Sequence, residues 1–142
     1  MATDITVFSR QYKKTSPVDG DIKVIHQVIR NITCAVTDTL IPIPWEDVRL
    51  VKIIASISEA VDAVTWELDF ELNAAGGTEM MTMDITKSSA VGAVFEATLA
   101  SLAACSNLSA KDVARDAINI ENTGTGKTGA ANVYFIFEPE QG

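Results

Sequence analysis

Four carboxylates sit at alternating positions of two neighbouring segments: Glu67, Asp69 and Glu71 between Val64 and Leu72, and Asp84 a little further on. Two carboxyl groups that converge on a cleft can hydrolyse a glycosidic bond, and carboxylate oxygens suit calcium. The Asp112/Asp116 stretch offers similar oxygen ligands. Spacing decides between these uses and a plainer one. Val64, Trp66, Leu68, Phe70 and Leu72 are apolar, while Thr65, Glu67, Asp69 and Glu71 between them are polar. Strict alternation describes a strand with one buried and one wet face. A flat wet face splays its carboxylates instead of converging them, so no catalysis is expected there.

The remaining chemical groups are sparse. His26 is the only histidine, which excludes a His-rich metal site and makes any Ser-His-Asp arrangement depend on this one residue. No Gly-x-Ser-x-Gly elbow is present. Gly124-Thr125-Gly126-Lys127-Thr128 looks like the end of a phosphate-binding loop. The first glycine that motif needs falls on Glu121, whose charge would repel a nucleotide. The two cysteines, Cys34 and Cys105, lie among apolar or small residues and read as buried free thiols. The expectation is a chain without cofactor or metal, and not an enzyme.

The elements that would position these residues are mostly strands. Ile22 to Ile29 alternates apolar and mixed positions, Val48 to Ser58 is rich in β-branched residues, and Met81, Met83 and Ile85 alternate with Thr82, Asp84 and Thr86. Asn73-Ala74-Ala75-Gly76-Gly77 is a turn between Leu72 and that last run. Two prolines in Ile41-Pro42-Ile43-Pro44-Trp45 forbid a central strand and favour an edge or corner. Ala117–Glu121 and Asn132–Glu138 read as terminal strands, with Val133, Phe135 and Phe137 on one face. Residues 90–105 fit two patterns. Val91, Val94, Phe95, Leu99 and Leu102 make a helical stripe, whereas Phe95, Ala97 and Leu99 alternate with Glu96 and Thr98. One short helix and a strand-plus-loop both remain open there. Seven to nine short strands separated by turns predict a mainly β protein, an antiparallel β-sandwich of jelly-roll type. It would span residues 21–142 as one domain, after an extended N-terminal arm over residues 1–20.

Composition bounds the partners. The chain has 142 residues, 47% hydrophobic and 21% charged, with a net charge of −8. That suits one folded domain. Acidity of this size disfavours nucleic acid and anionic membranes. No apolar run approaches the ~20 residues of a membrane helix, and Met1–Tyr12 lacks the pattern of a signal peptide, so synthesis in the cytoplasm is expected. Arg10, Lys13 and Lys14 form a small basic cluster in the arm.

The order of segments carries a resemblance. Ile41-Pro42-Ile43-Pro44-Trp45 is followed by Arg49–Ile57 and an alternating strand ending at Asn73. Then come Leu108-Ser109-Ala110-Lys111-Asp112, Ala117–Ile120, a Gly/Thr-rich loop and Ala131–Phe137. Over roughly residues 38–138 this resembles the jelly-roll capsid decoration (cement) and head-fibre proteins of tailed phages. The family's glycine before the aspartate is Lys111 here, and Val113–Asp116 is inserted before the hydrophobic strand. The resemblance implies a homotrimer on the capsid surface of a virion, bound to the major capsid protein and without chemistry. In that setting Phe8, Arg10, Tyr12, Lys13, Lys14 and Trp45 are the expected partner contacts. A carbohydrate-binding or adhesin-type sandwich is the alternative, and it would need a row of exposed aromatics.

Overall fold

The computed structural model describes residues 5–13, 22–34, 38–62, 66–86, 88–110, 116–122 and 128–140. Ten strands run in chain order: β1 (Ile5–Lys13), β2 (Ile22–Thr33), β3 (Asp38–Pro42), β4 (Val48–Glu59), β5 (Trp66–Leu72), β6 (Glu79–Ile85), β7 (Val94–Glu96), β8 (Thr98–Leu99), β9 (Ala117–Asn122) and β10 (Ala130–Pro139). They form two five-stranded antiparallel sheets, ordered β1-β2-β10-β4-β7 and β3-β9-β5-β6-β8. With β1 and β8 set aside, the orders β2-β10-β4-β7 and β3-β9-β5-β6 are those of an eight-stranded jelly roll. The expected antiparallel sandwich is therefore the observed fold.

Alternation builds the core between the sheets. From β10, Ala131, Val133, Phe135 and Phe137 point inward. From β5, Trp66, Leu68 and Phe70 meet them, and all are essentially buried. Phe70 and Phe135 touch edge to face across the sandwich, with ring centroids 5.7 Å apart. Each such side chain contributes about 1.5–3 kcal/mol by leaving water. Pro42 ends β3, an edge strand, where its missing N–H costs no ladder bond. Cys34 and Cys105 are free and buried, as expected. Burial raises both thiol pKa values to about 11, helped at Cys34 by Asp62 and Glu59.

Three features depart from simple alternation. A bulge between Phe70 and Glu71 lets Met80 and Met81 both face the core. Glu71, which strict alternation had placed in water, is buried as well, with Asn119 Nδ2 and the Gly76 N–H donating to its carboxylate. Val51 is the extra residue of a second bulge, where Lys52 pairs with Ile136 and Leu50 with Phe137. Finally, no helix occurs among the described residues. Residues 90–105 contain β7, β8 and turns. Gly92 takes a φ of 94°, a left-handed geometry that a regular helix does not contain.

Within the segment expected as an arm, Ile5–Lys13 forms β1, paired residue for residue with β2 over Ile22–Arg30. β10 follows β2 only from His26 to Thr33. Arg10–Lys13 and Ile22–Ile25 are thus paired only with each other, a two-stranded ribbon beyond the last β2–β10 pairing. Residues 1–4 and 14–20 lie outside the described residues.

Candidate functional site

The second sheet carries the carboxylates. Asp38, Glu67, Asp69, Glu71, Glu79, Asp84 and Glu121 lie on its strands, which contain no lysine or arginine. Asp38 pairs with Glu121, and Glu121 with Asp69, so three acids from β3, β9 and β5 form one cross-strand row. Buried Asn119 ties the next row to it. Its Nδ2 donates to Asp38 Oδ1 at 3.2 Å and to Glu71 Oε1 at 3.1 Å, and the Gly76 N–H donates to the same Glu71 oxygen at 3.2 Å. Like charge opposite like charge is unfavourable in a sheet. Burial, with the charges of Glu71 and Asp84, raises the Asp69 pKa against a lowering hydrogen bond with Glu79. The charge of Glu71, then burial, Asp38 and Asp69, raises that of Glu121. Among the described residues no group of three His, Cys, Asp or Glu side chains has a geometry able to hold a metal ion.

These shifts have a sign. A carboxyl group whose folded pKa lies above its unfolded value penalises the folded state while it is ionised. The penalty shrinks as pH falls through the folded pKa and is gone below the unfolded one. Asp69→Asn is expected to raise the melting temperature at pH 7 and to flatten its rise between pH 7 and the ordinary carboxylate range. Thermal melts across that range check this. A lowered melting temperature at pH 7 would count against the repulsive row.

The only histidine lies on the other sheet. On β2, His26 pairs with Phe137 of β10 and stacks on Trp45 at a centroid distance of 4.5 Å, tilted by 24°. Trp45 in turn meets Phe137 at 5.4 Å. His26 is thus a half-buried ring in an aromatic stack, and burial lowers its pKa. Trp45 follows the Pro-Ile-Pro corner and is half-buried in that stack. Trp66 lies in the core as expected.

Of the other expected contacts, Phe8, Arg10, Tyr12 and Lys13 belong to β1, opposite Gln27, Ile25, Lys23 and Ile22. Arg10, Tyr12 and Lys13 are thus on the two-stranded ribbon, one residue row or more from the stack at His26, whose β1 partner is Ser9. Lys14, Asp112 and the Gly124–Lys127 motif lie outside the described residues. Asp116 is described: it accepts hydrogen bonds from Ser109 N–H at 2.9 Å and Asn73 Nδ2 at 3.2 Å, and so ties loops together.

One surface escaped the sequence reading. Residues 91–108 run along the open side of the sandwich. Gly92, Ala93 and Ala97 bond to Ile57 and Ile53 of β4, and Ala100 and Ser101 reach Met80 of β6. The chain then returns to β4, where Leu50 N–H donates to Cys105. Ala93, Phe95, Ala97, Ala104 and Cys105 pack inward, while Val91, Val94, Leu99 and Leu102 face solvent. The helical-stripe pattern would have placed those four with Phe95 on one buried face. The available signal was charge: from Ser88 to Ala110 the only charged residue is Glu96.

Fold and surfaces define an antiparallel jelly-roll sandwich with an acidic sheet face and an apolar flank. No protein-family model matches the chain, and no curated protein matches it. Among solved structures, CsCBM6-3 from Clostridium stercorarium, solved in complex with cellobiose, is similar over 94% of this chain and 87% of its own length. The identity is 11% and the TM-score 0.38.

Proposed function

We propose that this chain is a virion structural protein, a capsid decoration (cement) protein that binds the outer surface of a tailed-phage shell and stabilises it without catalysis. The observation that carries this reading is the jelly-roll strand order, on which the segments of the sequence resemblance fall as β3, β4, β5, β9 and β10. The distribution of chemical groups agrees with it. The carboxylates spread over one sheet, and the histidine sits in an aromatic stack on the other. In this role the chain is a homo-oligomer, a trimer, seated on the major capsid protein, and it contacts neither nucleic acid nor membrane. The ribbon of Arg10–Lys13 and Ile22–Ile25 supplies the shell contact.

The test mixes purified protein with undecorated, expanded tailed-phage shells. Co-sedimentation at saturable stoichiometry and a higher shell melting temperature are expected. A protein that ignores shells but is retarded on immobilised polysaccharide would replace this reading with the carbohydrate-binding one. That alternative needs exposed aromatics in a row, whereas Trp45 is engaged with His26 and Phe137.

A further inference from the structure

We propose that the flank formed by residues 91–102 is the surface on which a second copy of this chain docks. The inference rests on the homo-oligomeric part of the reading above and gives it a location. Six large apolar side chains stand exposed among the described residues, and five of them, Val51, Val91, Val94, Leu99 and Leu102, belong to β4 and this flank. The sixth, Leu40, is on β3, at the opposite edge of the second sheet. Val94 is 63% exposed and Leu102 62%, so the apolar side chains are presented and not merely grazed by water. A clustered apolar patch marks an interaction surface, whereas scattered single residues do not.

Charge selects the partner. Two copies at −8 each repel one another, so they can meet closely only through a face without acid excess. This flank holds Glu96, with Lys52 of β4 at 3.9 Å from its carboxylate, and both side chains are about half exposed. The face is therefore neutral and presents one charge of each sign side by side. A neighbouring copy brings the same two charges, and each copy can give Lys52 to one neighbour and Glu96 to the same or the next. That complementarity serves a symmetric pair and a closed ring alike. The backbone adds to it, because β7 is the last strand of its sheet and leaves one side open to strand addition.

Light scattering on the full chain tests this, using Val94→Glu, Leu102→Glu and, as a control on the far edge, Leu40→Glu. Wild type and Leu40→Glu are expected to share one multiple of the 15.2 kDa chain mass. Val94→Glu and Leu102→Glu are expected to fall to a single chain. Circular dichroism checks folding independently, and these exposed sites should leave the spectrum unchanged. An oligomeric wild type whose flank variants keep its mass would overturn the inference and leave the oligomer reading standing. A wild type that is already a single chain would overturn both.

Discussion

Replacing Phe135 by alanine is expected to cost about 3–5 kcal/mol, a large part of the roughly 5–15 kcal/mol that stabilises a domain. The residue is fully buried on β10, the strand between β2 and β4. Its ring stands edge-on to Phe70 of the facing sheet, at 79° between planes. Truncation removes transfer free energy and leaves a cavity that two rigid sheets close poorly. Urea unfolding of Phe135→Ala, Phe70→Leu and the double variant measures both the loss and the coupling. The coupling is expected at about 0.5–1.5 kcal/mol, the range for an aromatic pair. A loss below about 1 kcal/mol for Phe135→Ala would mean that the sheets are not packed through this pair.

The second large effect belongs to the β5–β6 turn. A Cβ at Gly77 would lie 2.1 Å from the Leu72 carbonyl oxygen and 2.9 Å from that of Ala74. Both oxygens are already acceptors within the turn, from Ala74 N–H and Gly77 N–H respectively, each at 2.9 Å. No rotamer relieves a clash between Cβ and backbone. Gly77→Ala should therefore cost about 3 kcal/mol, the upper end for a strained backbone site. Gly76 next to it has a φ of 80° and open space around a would-be Cβ. Gly76→Ala should thus lose only the left-handed preference, about 1–2 kcal/mol. Chemical denaturation of the two variants tests the order. Equal losses would show that the turn relaxes freely around Gly77.

Much of the sandwich could be read from side-chain period alone. Trp66–Leu72 and Val133–Phe137 alternate cleanly because each lies in a sheet with one face on the core and one on solvent. The proline pair marked a sheet edge for the same local reason. What period does not encode is a slip in it. The bulge that turns both Met80 and Met81 inward depends on how β5 and β6 pair, and the burial of Glu71 depends on Asn119 of β9 and the Gly76 turn; none of these strands announces it alone. The flank was hidden differently. Val91, Val94, Leu99 and Leu102 satisfy a helical pattern, but the chain there is strapped to β4 and β6 in turn, which extends it and turns those side chains out. The contact of His26 with Trp45 joins residues far apart in the chain, through a corner whose path is set by β3 and β4.

The unequal allotment of charge between the sheets gives the molecule an electrical polarity. Strands of the first sheet hold Arg10, Lys13, Lys23, Arg30, Arg49 and Lys52 against Glu59, Glu96 and Glu138. The second sheet holds only acids. The second-sheet side of the sandwich is thus strongly negative and the first-sheet side is not, so a charged surface would turn the molecule before contact. Copies arrayed on a particle with the acidic sheet outward would give it uniform negative potential. Such particles would migrate faster toward the anode and resist clumping at low ionic strength.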